Sequence, residues 1–143
     1  MAIIMAIKTT QADKNFSKCV RAANNYCCER CGKQYDSSST GLHCSHIFGR
    51  RHRTIRWCKD NTQPLCFSCH QWFGENPADS GKWLEELLGE GHLQILREKR
   101  DSGVKVSKLE EKDISKHYAQ QLKMIEQKRA DGVTGYIDFE SWQ

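Results

Sequence analysis

No stretch of this sequence approaches the roughly 18 consecutive apolar residues that a membrane-crossing helix requires, so a membrane protein of helical type is not expected. The opening MAIIMAIKTT lacks a basic start, a long apolar run and a small-residue cleavage site, and it does not read as a signal peptide. A cytoplasmic protein is the expectation. No internal repeat is visible, which leaves no sign of a solenoid or repeat array. Apolar residues are also scarce, at 38% against 28% charged. A chain of 143 residues is one domain's worth, burying roughly two-thirds of its unfolded surface. Its core should be thin and would gain from a metal staple.

Acidic residues are missing from one place in particular. Between residues 46 and 59 there is none, while Arg50, Arg51, Arg53, Arg56 and Lys59 are all basic. The net charge of +4 divides as +3 over residues 1–96, +4 over 97–130 and −3 over 131–143. The basic run is a candidate phosphate-contacting surface, although on charge alone a solvated face is the preferred reading.

Cysteine is plentiful, at positions 19, 27, 28, 31, 44, 58, 66 and 69. Cytosolic thiols are kept reduced, so clustered pairs there point to metal before disulfides. Cys28 with Cys31, and Cys66 with Cys69, form two C-x-x-C pairs. Tetrahedral Zn²⁺ takes four thiolates, and each such pair spans two adjacent corners. A closed, structural zinc site is the reading, with Cys27 a poorer alternative to Cys28. Cys19, Cys44 and Cys58 read as small core residues.

Hydrophobic spacing predicts a helix over 11–25, where Phe16, Cys19, Val20 and Ala23 share a face. A strand is predicted over 42–48, and the basic loop after it is a candidate for a second one around 54–57. A helix should follow Cys66 as far as Trp72 or Phe73. Asn76 and Pro77 suit the cap and first turn of a helix ending at Gly89. Another helix is predicted over 91–100, an extended stretch over 104–106, and a long charged helix over 108–130 with Ser107 and Glu110 at capping-box spacing. The apolar stripe of that helix (Ile114, Tyr118, Leu122, Ile125) suits a docking seam or a homodimer contact but is too thin for a core of its own. Trp57, Trp72 and Phe73 are assigned to core packing, with base stacking the alternative. His92 and His117 read as ordinary surface or packing residues.

Three polar residues remain. His46 lies on the predicted strand, Asn61 just before the second knuckle, and His70 directly after Cys69. Zinc would pin these segments so that the three side chains converge. The spacing, with both knuckles in register, resembles the HNH (ββα-metal) nuclease motif in its zinc-knuckle form. That superfamily includes phage endonuclease VII, and the run from Phe16 to Pro77 also looks like phage recombination proteins of the lambda NinG type.

The resemblance implies an α+β fold: a small zinc-stapled ββα-metal core with surrounding helices and a long charged C-terminal helix. The nuclease domain would cover residues 1–103 and the helical extension 104–143. It also implies a metal-dependent endonuclease that cuts or nicks DNA, in phage recombination or processing, in the host cytoplasm. His46 would be the general base, Asn61 would orient it and hold its loop, and His70 would ligate a catalytic Mg²⁺, Mn²⁺ or similar ion. Many relatives carry Asp directly before the base. Ser45 stands there, and Ser45 or His43 would have to serve instead. Arg50, Arg51, Arg53 and Arg56 would contact DNA. A zinc-knuckle DNA-binding module without catalysis is the alternative, and an adaptor using the long helix is a third.

Overall fold

The computed structural model describes residues 7–142. The opening MAIIMA, where a leader would begin, lies outside the described residues. No described helix is long and apolar enough to cross a membrane.

The first helix, α1 (Gln11–Ala23), begins at a complete capping box: the Thr10 side chain accepts from the Asp13 amide, and the Asp13 carboxylate accepts from the Thr10 amide. It buries Ala12, Phe16, Cys19, Val20 and Ala23. Asn25 and Tyr26 then take left-handed backbone angles, with φ of 51° and 58°, and turn the chain out of the helix. Short polar residues tolerate that region, whereas Tyr26 needs its surroundings to hold it there.

Strand β1 (Leu42–His46) lies where the sequence predicts one, but its partner is elsewhere. Residues 54–56 belong to a short helix, α2 (Arg53–Arg56), which Trp57 follows as its C-cap, and the second strand is β2 (Thr62–Cys66). The two strands pair antiparallel, with Leu42 opposite Cys66 and His46 opposite Thr62. Ile55 and Trp57 favour a strand by propensity. Here side-chain donors meet carbonyls of the α2 turn instead: Asn61 Nδ2 donates to the Ile55 carbonyl and His46 Nε2 to that of Arg56. Pro64 sits in the middle of β2, which a central strand would not tolerate. In a two-stranded sheet both strands are edges, and the outward carbonyl of Pro64 accepts from the Glu29 amide at 2.8 Å.

Four helices follow β2: α3 (Phe67–Glu75), α4 (Pro77–Leu88), α5 (Glu90–Arg100) and α6 (Lys108–Ala130). Asn76 does not cap α4 with its side chain. Its Nδ2 turns back to the Trp72 carbonyl and closes α3. Ser107 does cap α6, accepting from the Glu110 amide at 3.0 Å.

The thin stripe of α6 docks within the chain. Ile114, Tyr118 and Ile125 are fully buried against α1 and, with Phe16, Cys19, Val20 and Trp57, form the largest apolar cluster. Of the two roles the stripe suits, the docking seam is the one realised, and α1 and the closing segment supply the apolar surface that the stripe lacks by itself. Ile137 and Phe139 close that cluster. The Ile137 amide reaches the Ala23 carbonyl at 2.9 Å, and the Tyr118 hydroxyl donates to the Trp57 carbonyl. One core therefore spans residues on both sides of position 103.

Ile114→Ala should lower stability by about 2–5 kcal/mol, the range for emptying a packed aliphatic site. Urea unfolding checks this, and size-exclusion chromatography should show an unchanged oligomeric state, since the stripe faces the chain's own α1.

Candidate metal centre and the adjoining histidine cavity

Cys28 and Cys31 lie on a tight turn in which the Gly32 amide donates to the Cys28 carbonyl and the Cys28 amide to the Lys33 carbonyl, both at 2.9 Å. Gly32 has φ of 75°, a conformation that suits glycine. Cys66 ends β2, and Cys69 lies in the first turn of α3. The Cys66 amide points at Cys28 Sγ (3.3 Å) and the Cys69 amide at Cys66 Sγ (3.5 Å). All four sulfurs lie within 4.8 Å of one another.

The donor set fits zinc. A tetrahedral ion with bonds of about 2.3 Å places its ligands about 3.8 Å apart, and Cys31 Sγ stands 3.8 Å from Cys66 Sγ. Burial would raise the Cys28 thiol, but the amides of Cys31, Cys66 and Arg30 outweigh it and hold the group at about 7. Arg30 adds positive charge, with Nη1 3.5 Å from Cys69 Sγ and its guanidinium 3.6 Å above the Trp72 ring. Four cysteines that could hold a metal such as zinc thus join the first turn to the junction of β2 and α3.

That junction positions His70. On β1, Cys44 and His46 line a cavity of about 570 Å³ together with His70. His46 Nε2 lies 2.9 Å from the Arg56 carbonyl oxygen. A carbonyl only accepts, so Nε2 carries the hydrogen and a neutral His46 keeps its lone pair on Nδ1. Burial is the main force on this group and lowers its pKa below the ordinary 6.5, which favours that neutral form.

Asn61 is fully buried and makes no bond to His46. Its Oδ1 accepts from the Phe48 amide (2.9 Å), while Nδ2 donates to the carbonyls of Phe48 (2.9 Å) and Ile55 (3.1 Å). It ties both ends of the loop between β1 and α2, one residue from the carbonyl that orients His46. Of the two roles expected for it, holding the loop is the one its bonds perform directly.

Ser45 is buried, at 2% exposure, and does not line the cavity. His43 instead meets His70, Nδ1 to Nδ1, at 2.9 Å. Burial, then the neighbouring His43, lowers the pKa of His70. Two imidazoles with no free carboxylate suit a later first-row ion such as Fe²⁺, Ni²⁺ or Zn²⁺ better than Mg²⁺ or Mn²⁺, which prefer oxygen ligands. Among the described residues, the four cysteines are the single group of three or more candidate ligands.

The basic loop divides. Arg56 is buried, and its guanidinium binds the Asp13 carboxylate, with Nε 3.0 Å from Oδ1. It is not placed to meet DNA, because a buried carboxylate already neutralises it. Arg53 is held by Glu111 at 2.9 Å and by the Val106 carbonyl. Arg51 is exposed, and Arg50 lines the cavity.

Sequence reading missed three cations of α1, Lys14, Lys18 and Arg21, that line the same cavity. Their i, i+4, i+7 spacing was the available signal. Trp57 is core, as expected, while Trp72 and Phe73 are half-buried. His92 and His117 bond to the carbonyls of Asp60 and Glu140, away from the cavity.

These elements define an α+β protein with a four-cysteine cluster able to hold a metal. Compared with family models, curated proteins and solved structures, the chain matches none.

The purified chain should carry about one zinc ion, held by the four cysteines. Elemental analysis measures this, and a strong chelator or Cys66→Ser should remove the ion and lower the melting temperature. Arg56→Ala should destabilise by about 3–5 kcal/mol, because it strands the buried Asp13 carboxylate; urea unfolding at pH 7 reports it.

Proposed function

We propose that this chain is a metal-dependent endonuclease that hydrolyses DNA phosphodiester bonds, of the HNH zinc-knuckle kind its motif resembles. The observation that carries the reading is His46. Its Nε2–H is committed to the Arg56 carbonyl, and it lines a cavity shared with His70 and ringed by Lys14, Lys18, Arg21 and Arg50. The strand–strand–helix order of β1, β2 and α3 supports the same reading.

In this mechanism His46 Nδ1 takes a proton from water as the water oxygen bonds to phosphorus, and the bond to the 3′ oxygen breaks. His43 and His70 would hold a divalent ion, which supplies charge stabilisation for the leaving oxygen when bound. Arg50 faces the same cavity and would attract the scissile phosphate. Asn61 is a positioning residue that acts through the loop. Phage recombination and branched DNA are the biological setting the resemblance suggests.

A second reading, a zinc-held DNA-binding module without catalysis, draws on one observation. The acid at the cavity, Asp13, is bound to Arg56, so no free carboxylate stands beside His70.

A nicking assay on supercoiled plasmid and on a four-way junction decides between them, with Mn²⁺ or Mg²⁺ supplied. Cleavage should require added ion and fall by at least about 100-fold in His46→Ala, the scale of a lost general base, with zinc content unchanged. DNA binding without cleavage under any divalent ion would establish the module instead. The base must be neutral, and its pKa is lowered. Activity should therefore hold at neutral pH and decline only as pH falls below 6.5, measured as a pH–rate profile.

A further inference from the structure

The outer face of α1 is explained neither by the core nor by the histidines. Lys14, Lys18 and Arg21 stand opposite the buried positions Phe16, Cys19 and Val20, and all three line the cavity that holds His46 and His70. Lys14 and Lys18 are exposed, and Arg21 is half-buried. Among the described residues none of the three forms an ion pair. Arg50, which lines the same cavity, is held in place by Thr9 Oγ1 (3.2 Å) and the Ile7 carbonyl (3.1 Å). The acid lining this cavity, Asp13, is engaged by the buried Arg56 and lies 3.7 Å from Arg50. Its negative charge is therefore already matched, and the cavity wall is left cationic. Glu126 of α6 shares a neighbouring recess with Lys18 and Arg21 without pairing to either.

Similar cations at one-turn intervals repel each other, so such a row destabilises its helix slightly unless an anion lies along it. Lys14 and Arg21 are separated by about 10 Å along the helix axis, from a rise of about 1.5 Å per residue. Each strand of duplex DNA presents a phosphate about every 3.4 Å of its axis. Along the winding strand neighbouring phosphates stand roughly twice that far apart, so the row spans about two to three of them. We infer that the outer face of α1 is a binding track for the phosphate backbone of one strand of duplex DNA, leading it across the mouth of the cavity to His46. The inference rests on the nuclease reading only for where the track leads.

The test is fluorescence anisotropy of a labelled 20-base-pair DNA duplex against KCl concentration, with no divalent ion added. The wild-type chain is compared with Lys14→Gln/Lys18→Gln/Arg21→Gln and with the control Lys112→Gln/Lys116→Gln/Lys123→Gln on α6. Each lost phosphate contact lowers the slope of log affinity against log salt by about 0.9. The α1 variant should lose about 2–3 from that slope, with circular dichroism and zinc content unchanged, and the α6 variant should lose little. Lys14→Arg/Lys18→Arg should keep the wild-type slope. An unchanged slope in the α1 variant, an equal loss in the α6 variant, or no binding by the wild-type chain would overturn the inference. Binding with the expected slopes but no cleavage would remove the nuclease reading and leave the track standing. Cleavage by a chain whose slope ignores the α1 substitutions would do the reverse.

Discussion

The four sulfurs govern where everything else in the site can be. Cys28 and Cys31 sit on a turn that follows α1, whereas Cys66 and Cys69 straddle the end of β2 and the first turn of α3. Holding them within 4.8 Å fixes the start of α3 against the sheet, and His70 is the next residue after Cys69. The cluster thus determines the distance between a helix residue and the β1 histidines. In a chain with so few apolar residues, a metal able to bind there would supply cohesion the small core under β1 and β2 does not.

A second layer of control is polar and buried. Asn61 ties Phe48 to Ile55, and Asp13 binds Arg56. Both anchor the loop whose Arg56 carbonyl orients His46. A buried amide with three bonds and a buried ion pair are expensive to disturb, since either partner left alone keeps its desolvation penalty. The loop is therefore ordered by the interactions that aim the imidazole, so stability and the proposed chemistry share the same residues. The division of the basic loop follows from this. Arg56 is buried and charge-matched by Asp13, which leaves Lys14, Lys18 and Arg21 of α1, with Arg50, as the cations that line the cavity.

Much of the architecture was legible from residues alone. The α1 period, the β1 segment, the two knuckles, the α6 limits and the Ser107 cap all follow from local rules of spacing and capping. The second strand was not legible, because 54–57 is β-branched and aromatic while 62–66 contains Pro64, so propensity points to the wrong segment. Side-chain donors from Asn61 and His46 complete the α2 turn, and the exposed edge of β2 tolerates the proline. Neither compensation can be seen in the local sequence.

What the sequence by itself determined is the set of ligands and the chemistry they permit: two C-x-x-C pairs, a histidine directly after the second, and another histidine on the preceding strand. Ligand spacing is local, and the chain carries it wherever it folds. Only the tertiary structure decided which charges remain free. Arg56 faces inward to Asp13, His43 meets His70 in place of Ser45, and Lys14, Lys18 and Arg21 reach the cavity from 25 or more residues away in sequence. Burial and long-range pairing select among identical side chains, and those are properties of the packed molecule.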